Sequence, residues 1–298
     1  MDSTKPVIFI TGHTGMVGTR IKEQLSDEFQ VVALQRDKSD PTQPRWNYQQ
    51  ALRDCGISKP FAVIHLAGAG IADKRWNEKH KSLLYNSRIN GTNWLINTIN
   101  QQPDKPDLMI SASAIGFYGH RPGEKLSEDA GSGDNFVARI SRDWEAAADR
   151  LDATVRLIKF RFGMILDASG GALKNMLLPF KMGLGGRMGS GQQIYSWIGL
   201  TDVIRAMRFV INHPDCEGVY NLTSPHPVSN ADFTKVLAGL LNRPAFFHQP
   251  ALLVKLVFGE VADELLLADA RVIPERLTDA GFGFQNPDLK SALTDALA

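Results

Sequence analysis

The clearest chemistry in the chain lies in Thr11-Gly12-His13-Thr14-Gly15-Met16-Val17-Gly18, which follows a short apolar run. The glycines at 12, 15 and 18 fall three apart. In such a loop the first glycine permits a tight turn and the second lets a pyrophosphate approach the backbone. The third lets helix and strand pack closely. A helix opening at this point offers N–H groups and a positive dipole end to phosphate. A glycine triplet alone is weak evidence, but one in the first strand–turn–helix of a chain is much stronger. It points to a dinucleotide cradled by Gly12, His13, Thr14, Gly15, Met16, Val17 and Gly18. The sequence has no GxxxxGK[ST] pattern, which excludes a P-loop nucleotide triphosphatase.

The end of the next apolar run discriminates between cofactors. NAD enzymes usually carry an acid there, bonded to the ribose 2′-hydroxyl. Here Val31–Leu34 is followed by Gln35-Arg36-Asp37. Arg36 can meet a 2′-phosphate bidentately and stack on adenine, whereas Asp37 comes one residue late and is expected to face solvent. The reading is NADP (NADPH), with Gln35 and Arg36 as contacts. The alternative makes Arg36 a solvated loop residue.

The elements that must position these residues alternate. Val7–Ile10, Val31–Leu34, Phe61–Leu66, Asp107–Ile110 and Val155–Phe160 read as buried strands. Met16–Leu25, Tyr85–Ile99 and Phe136–Arg150 read as helices between them. This pattern predicts an α/β fold with a doubly wound parallel sheet of Rossmann type. Glycines punctuate Leu166–Gln193, which is expected to be irregular. Asp202 is expected to cap a helix ending near Ile211, and Gly218–Ser224 (GVYNLTS) reads as a strand. The last fifty residues, Gln249–Ala298, are mostly helical in pattern.

The 298 residues carry a formal net charge of +1, with 22% charged and 43% hydrophobic residues, ordinary for a globular protein. Neither nucleic acid nor an acidic membrane is implied. The cluster Lys74-Arg75, Lys79, Lys81 with Trp76 is interrupted by Asp73 and Glu78, and reads as a solvated amphipathic segment. The two cysteines, Cys55 and Cys216, lack metal-ligand spacing and suit a reducing compartment. The seven histidines form no HExxH pattern, so no metal is expected. His65, ending a buried run, reads as a bonded core histidine. No apolar run is long enough to span a bilayer, and the first residues, MDSTKPVIFITG, lack a secretory pattern. The expected location is cytoplasmic.

TGHTGMVG, VIHLAGAGIADKRW, SRINGT, SASAIGFYG, DWEAAA, LLPFKMGLGGRMGSGQQIYSWI and RVIPERLTDAGFGFQNPDLKSAL together resemble the short-chain dehydrogenase/reductase superfamily. More closely, they resemble its atypical branch of "epimerase family" proteins, relatives of the nucleoside-diphosphate-sugar epimerases. The resemblance runs nearly end to end. It implies an NADP-binding Rossmann domain over 1–162, its sheet completed by later segments. A smaller C-terminal substrate lobe would occupy 163–298, with a family-specific helical segment from about 249. Leu66, Ala67 and Gly68 would line the adenine-ribose side, and Ser111 would touch cofactor. Phe160, Arg161 and Phe162 would lie near the nicotinamide. Ser113 matches the superfamily's active-site serine, and Arg88, which would also touch cofactor, stands where related enzymes have asparagine and this branch usually has arginine. Arg187, Gln192, Tyr195 and Trp197 would line the substrate cleft, or else belong to a long loop. Pairing of two copies through the Tyr85–Ile99 and Phe136–Arg150 helices is expected by analogy alone.

The chain departs from the superfamily at the Tyr-x-x-x-Lys positions, matched here by Phe136 and Ile140. The tyrosine moves the substrate's hydroxyl proton, and the lysine favours the phenolate. Phe136 has no proton to give and Ile140 no charge. The substitutes the chain offers are Ser113, Arg88 and Tyr118, the last five residues after Ser113. Each has a plainer reading: a strand-end cap for Ser113, a surface ion pair for Arg88 and a packed aromatic for Tyr118. Two functions follow. One is an NADP-dependent oxidoreductase or epimerase with a non-standard active site, acting on a small molecule such as a sugar nucleotide or carbonyl compound. The other is a catalytically inactive NADP-binding redox sensor or interaction protein.

Overall fold

The computed structural model describes residues 5–37, 39–40, 43–72 and 74–298. Asp73 and the first four residues, which entered the charge and leader readings, lie outside the described residues. Six strands form one sheet: β1 (Val7–Thr11), β2 (Gln30–Ala33), β3 (Ala62–His65), β4 (Leu108–Ala114), β5 (Arg156–Phe162) and β6 (Gly218–Leu222). Their order is β6-β5-β4-β3-β1-β2. β1 runs parallel to β2 on one side and β3 on the other, and β3 runs parallel to β4. The chain thus winds one way from β1 to β2 and the other way from β3 onward. That reversal places the switch point, where such sheets bind ligands, at the ends of β1 and β3.

β1 is buried at every residue, as an unbroken apolar run in a covered parallel sheet should be. Ile8, Phe9 and Ile10 are wholly buried, each stabilising the fold by roughly 1.5–3 kcal/mol through leaving water. Phe9 meets Tyr48 edge-on at 5.3 Å, inside a cluster that includes Trp46, Leu95, Ile96 and Met109. The helices are α1 (Met16–Leu25), α2 (Tyr48–Cys55), α3 (Glu78–Asn100), α4 (Phe136–Ala148), α5 (Gly171–Lys181), α6 (Leu200–Asn212), α7 (Asn230–Leu240), α8 (Ala251–Phe258), α9 (Glu275–Asp279) and α10 (Leu289–Leu297). Asn77 starts α3, its side chain accepting the His80 N–H.

The chain forms two compact units. The first comprises Met1–Ser113, Ile140–Phe160 and Met207–Val219; the second comprises Ala114–Arg139, Arg161–Ala206 and Tyr220–Ala298. The core of the second unit gathers Leu173, Leu177, Trp197, Phe233, Leu237 and Leu293.

Two expectations are corrected. The glycine-punctuated Leu166–Gln193 is not wholly irregular, because α5 runs through it with Pro179 inside. Asp202 is not a helix cap. It lies within α6, wholly buried, and its carboxylate accepts the backbone N–H groups of Gln285 and Asn286 at 2.8 and 2.9 Å. It therefore fixes the approach to α10 rather than the start of α6. Among the described residues no helix is long and apolar enough to cross a membrane, and no cluster of ligands could hold a metal.

Candidate functional site

Gly12 directly follows β1 and adopts φ +73°, in the left-handed region that favours glycine. A Cβ there would lie 2.9 Å from the Leu66 carbonyl carbon, so the turn is pressed against the end of β3. A Cβ on Gly18 would come within 2.3 Å of the Gly12 carbonyl oxygen, which is why α1 can close onto the loop only with glycine. Gly15 caps α1 without any side-chain hydrogen bond. The first N–H groups of a helix have no intrahelical acceptor, and His13, Thr14 and Gly15 are partly or fully exposed beside them. This shape fits a pyrophosphate: backbone donors, a dipole end and no side chain in the way.

Arg36 pairs with Trp46 in a short antiparallel ladder beyond β2. It is exposed, and no hydrogen bond or ion pair holds its guanidinium among the described residues. Gln35 is tied to Asn47, whose side chain accepts the Gln35 N–H at 2.7 Å. The exposed Asp37 accepts the Ser39 N–H at 2.9 Å, and that bond lowers its pKa. An anion beside this ladder therefore meets a free guanidinium, while the carboxylate is already engaged.

A buried polar chain locks the two strand ends together. The Thr11 hydroxyl lies 2.7 Å from His65 Nδ1, and His65 Nε2 lies 3.0 Å from the Thr92 hydroxyl. Trp144 Nε1 donates to the same Thr92 oxygen at 2.9 Å. Burial lowers the His65 pKa to about 4, so its ring is neutral at neutral pH. His65 is thus the bonded core histidine expected from sequence.

From this cradle a line of contacts leads to a second group. Arg88, on α3, packs 3.4 Å from where a Gly68 Cβ would sit. Its guanidinium donates to the carbonyls of Leu84 and Ala69 at 3.1 and 2.9 Å, and lies 5.2 Å from the Trp144 ring centre. Burial lowers its pKa to about 10, which leaves it charged at neutral pH. The residue after Trp144 is Glu145, whose Oε1 accepts the Ser113 hydroxyl at 2.6 Å. Both partners are buried. Ser113 was expected from the sequence and Glu145 was not. The available signal was a lone acid between Trp144 and three alanines on an otherwise apolar helix turn.

The other expected residues are placed differently. Tyr118 belongs to the second unit, is wholly buried and donates its hydroxyl to Asn221 at 2.8 Å. Arg161 Nη1 donates to that same hydroxyl oxygen at 2.8 Å and to the Glu128 carbonyl at 3.3 Å, with its guanidinium 3.5 Å over the Phe117 ring. Burial raises the pKa of both Tyr118 and Glu128. These groups form a polar core of the second unit. Phe160 and Ser111 are buried, and Trp197 is wholly enclosed in the second unit's core rather than lining a cleft. Tyr195 accepts from Asn230 Nδ2 at 2.9 Å, and Gln192 is exposed. Arg187 lines a cavity of about 400 Å³ with Lys235, Arg243 and Phe246. At the start of α4, Phe136 and Val137 donate their N–H groups to the Glu264 carboxylate at 3.2 and 3.0 Å. The whole helix, FVARISRDWEAAA, contains neither tyrosine nor lysine.

The strand order, the glycine turn at the switch point and the uncapped helix define a Rossmann-type nucleotide-binding protein. The sequence pattern of the NAD dependent epimerase/dehydratase family matches residues 8–160, and the chain belongs to that family. Residues 249–296 match a domain of unknown function, DUF1731. Epimerase family protein MT2273 of Mycobacterium tuberculosis is 35% identical over 291 residues, covering 96% of each chain. Human epimerase family protein SDR39U1 is 31% identical over 294 residues, covering 98% of this chain and 99% of that protein. The crystal structure of human SDR39U1 (isoform2) with NADPH superposes at a TM-score of 0.88 and 30% identity, covering 97% of this chain and 98% of that one.

Proposed function

We propose that this chain binds NADPH and acts as an oxidoreductase or epimerase whose proton is handled by Ser113 and Glu145. The observation that carries the reading is the 2.6 Å hydrogen bond between Ser113 on β4 and Glu145 on α4, a helix with no tyrosine or lysine. Cofactor choice rests on the free guanidinium of Arg36 and on the human relative, whose structure contains NADPH. The Gly12–Gly18 turn would hold the pyrophosphate, Arg36 the 2′-phosphate, and Leu66–Gly68 the adenine-ribose side. When bound, the nicotinamide supplies or accepts a hydride.

The chain's own residues then have a defined task. An alcohol that loses hydride must also lose its hydroxyl proton. Ser113 Oγ can accept that proton while passing its own to Glu145 Oε1, so one O–H bond breaks at the substrate and one forms at the carboxylate. The reverse transfer protonates a developing alkoxide. Arg88, pinned by two carbonyls, holds a fixed positive charge in the same unit to stabilise a negatively charged oxygen.

The test follows nicotinamide absorbance with a panel of sugar nucleotides and carbonyl compounds. Turnover is expected, and Ser113→Ala or Glu145→Gln should slow it at least ~100-fold while leaving NADPH affinity within about twofold. Turnover indifferent to both substitutions contradicts the Ser113–Glu145 reading. The second reading, a redox sensor without turnover, is favoured by the absent Tyr–Lys pair, and an inert NADPH complex across the panel would support it. A cytoplasmic location belongs to the same proposal.

A further inference from the structure

Ser113 and Glu145 belong to the first unit, and the second unit holds a cavity of its own. Its volume is about 400 Å³, and every residue that lines it lies in that unit. Part of the lining is one stripe of α7, where Ala231, Thr234, Lys235, Ala238 and Gly239 recur at helical spacing. The small side chains at 231, 238 and 239 leave the hollow unfilled. The rest of the lining is Arg187 and residues 243–246. Of the residues expected in a substrate cleft, Arg187 lines this cavity, and Gln192, Tyr195 and Trp197 do not.

The lining carries three cations, Arg187, Lys235 and Arg243, and no acid. The Arg187 stem packs 3.3 Å from where a Gly191 Cβ would sit. Arg243 donates its Nε to the Lys181 carbonyl at 2.9 Å, which fixes one edge of the guanidinium. Its terminal nitrogens, the Arg187 guanidinium and the Lys235 ammonium make no hydrogen bond or ion pair among the described residues. Thr234 is only 5% exposed, yet its buried hydroxyl has no hydrogen-bond partner. Buried polar groups are ordinarily paired, so this hydroxyl calls for a partner that a ligand in the cavity can supply. Three like charges around one hollow repel one another, and an anion of more than one charge offsets that repulsion. A phosphate monoester carries about −1.5 to −2 at pH 7 and three acceptor oxygens, which a guanidinium fork meets bidentately. A carboxylate brings one charge and two oxygens. The volume falls in the ~300–1,000 Å³ range of small-molecule sites, so an organic part fits beside the phosphate. Phe246 lines the cavity while 90% exposed, so its ring stands at the mouth, where a planar group can cover it.

We propose that this cavity binds a phosphate monoester whose organic part is a planar ring. Arg187, Lys235, Arg243 and Thr234 hold the phosphate, and the ring lies against Phe246. The test is calorimetric titration of the full chain with phenyl phosphate, inorganic phosphate and benzoate. Phenyl phosphate should bind with a Kd below about 1 mM, and the other two at least about fivefold more weakly. Arg187→Ala and Lys235→Ala change exposed side chains and should unfold thermally as the wild type does. Each should weaken phenyl phosphate at least about tenfold. Thr234→Val should weaken it several-fold without lowering the unfolding temperature of the free chain, because valine removes a hydroxyl that has no partner there. Phe246→Ala should reduce phenyl phosphate to the affinity of inorganic phosphate. No binding of phenyl phosphate at about 10 mM overturns the proposal. Binding that survives both cation substitutions, or benzoate binding as tightly as phenyl phosphate, overturns it equally.

Discussion

Acidification should weaken this fold through His65, and the size of the effect can be worked out. The ring is enclosed between Thr11 and Thr92, and burial holds its pKa at about 4. In the unfolded chain a histidine titrates near ~6.5. Below that pH the unfolded state takes a proton that the native state refuses. Stability is therefore full above ~6.5 and falls as pH drops toward the folded value. Between pH ~7.5 and ~5.0 the loss from this residue is about 2 kcal/mol, and it approaches roughly 3 kcal/mol below the folded pKa. Urea unfolding of wild type and His65→Asn at both pH values isolates the contribution. Asparagine keeps a polar side chain between the two threonines but does not titrate. The wild type should lose about 2 kcal/mol more than the variant on acidification. Equal losses in the two proteins would refute the buried neutral imidazole.

Tyr118→Phe should cost about 1–3 kcal/mol of stability, because it strips a buried hydroxyl from Asn221 and Arg161. Thermal and urea unfolding read that cost. Turnover, once a substrate is found, should change less than about tenfold; a loss beyond ~100-fold in a folded variant would restore Tyr118 as a proton donor. Asp202→Ala should cost about 2–4 kcal/mol, since two backbone N–H groups, that of Asn286 buried and that of Gln285 partly so, lose a charged acceptor. Hydrogen exchange should show Gln285 and Asn286 losing protection first.

The glycine turn after β1 was legible in the sequence because its cause is local. A β-branched run, a glycine turn and a helix start lie within a dozen residues, and each glycine answers a contact the turn itself creates. The α/β alternation was legible for the same reason, since period and burial are written in each segment. Glu145 was not, because its partner Ser113 lies 32 residues away and only the packing of α4 on β4 brings them together. Tyr118 looked available because it follows Ser113 closely. Its hydroxyl is instead taken up by Asn221, 103 residues distant. The helix α5 was hidden by the glycines that punctuate its segment, Gly170 and Gly171 at its start among them, and it carries Pro179 inside. Pro179 is tolerated because the carbonyl it leaves unpaired, four residues back at Asn175, belongs to an exposed position. Asp202 shows the same limit. An acid near a helix start suggests a cap, yet its acceptor role was set by a loop some eighty residues later.

Calorimetric titration of the purified chain with NADPH and with NADH, alongside Arg36→Ala, tests the central claim most directly. The account predicts NADPH binding at least about tenfold tighter than NADH, a gap of ~1.4 kcal/mol, most of which disappears in Arg36→Ala. NADH binding as tightly as NADPH, or neither binding at all, would contradict it.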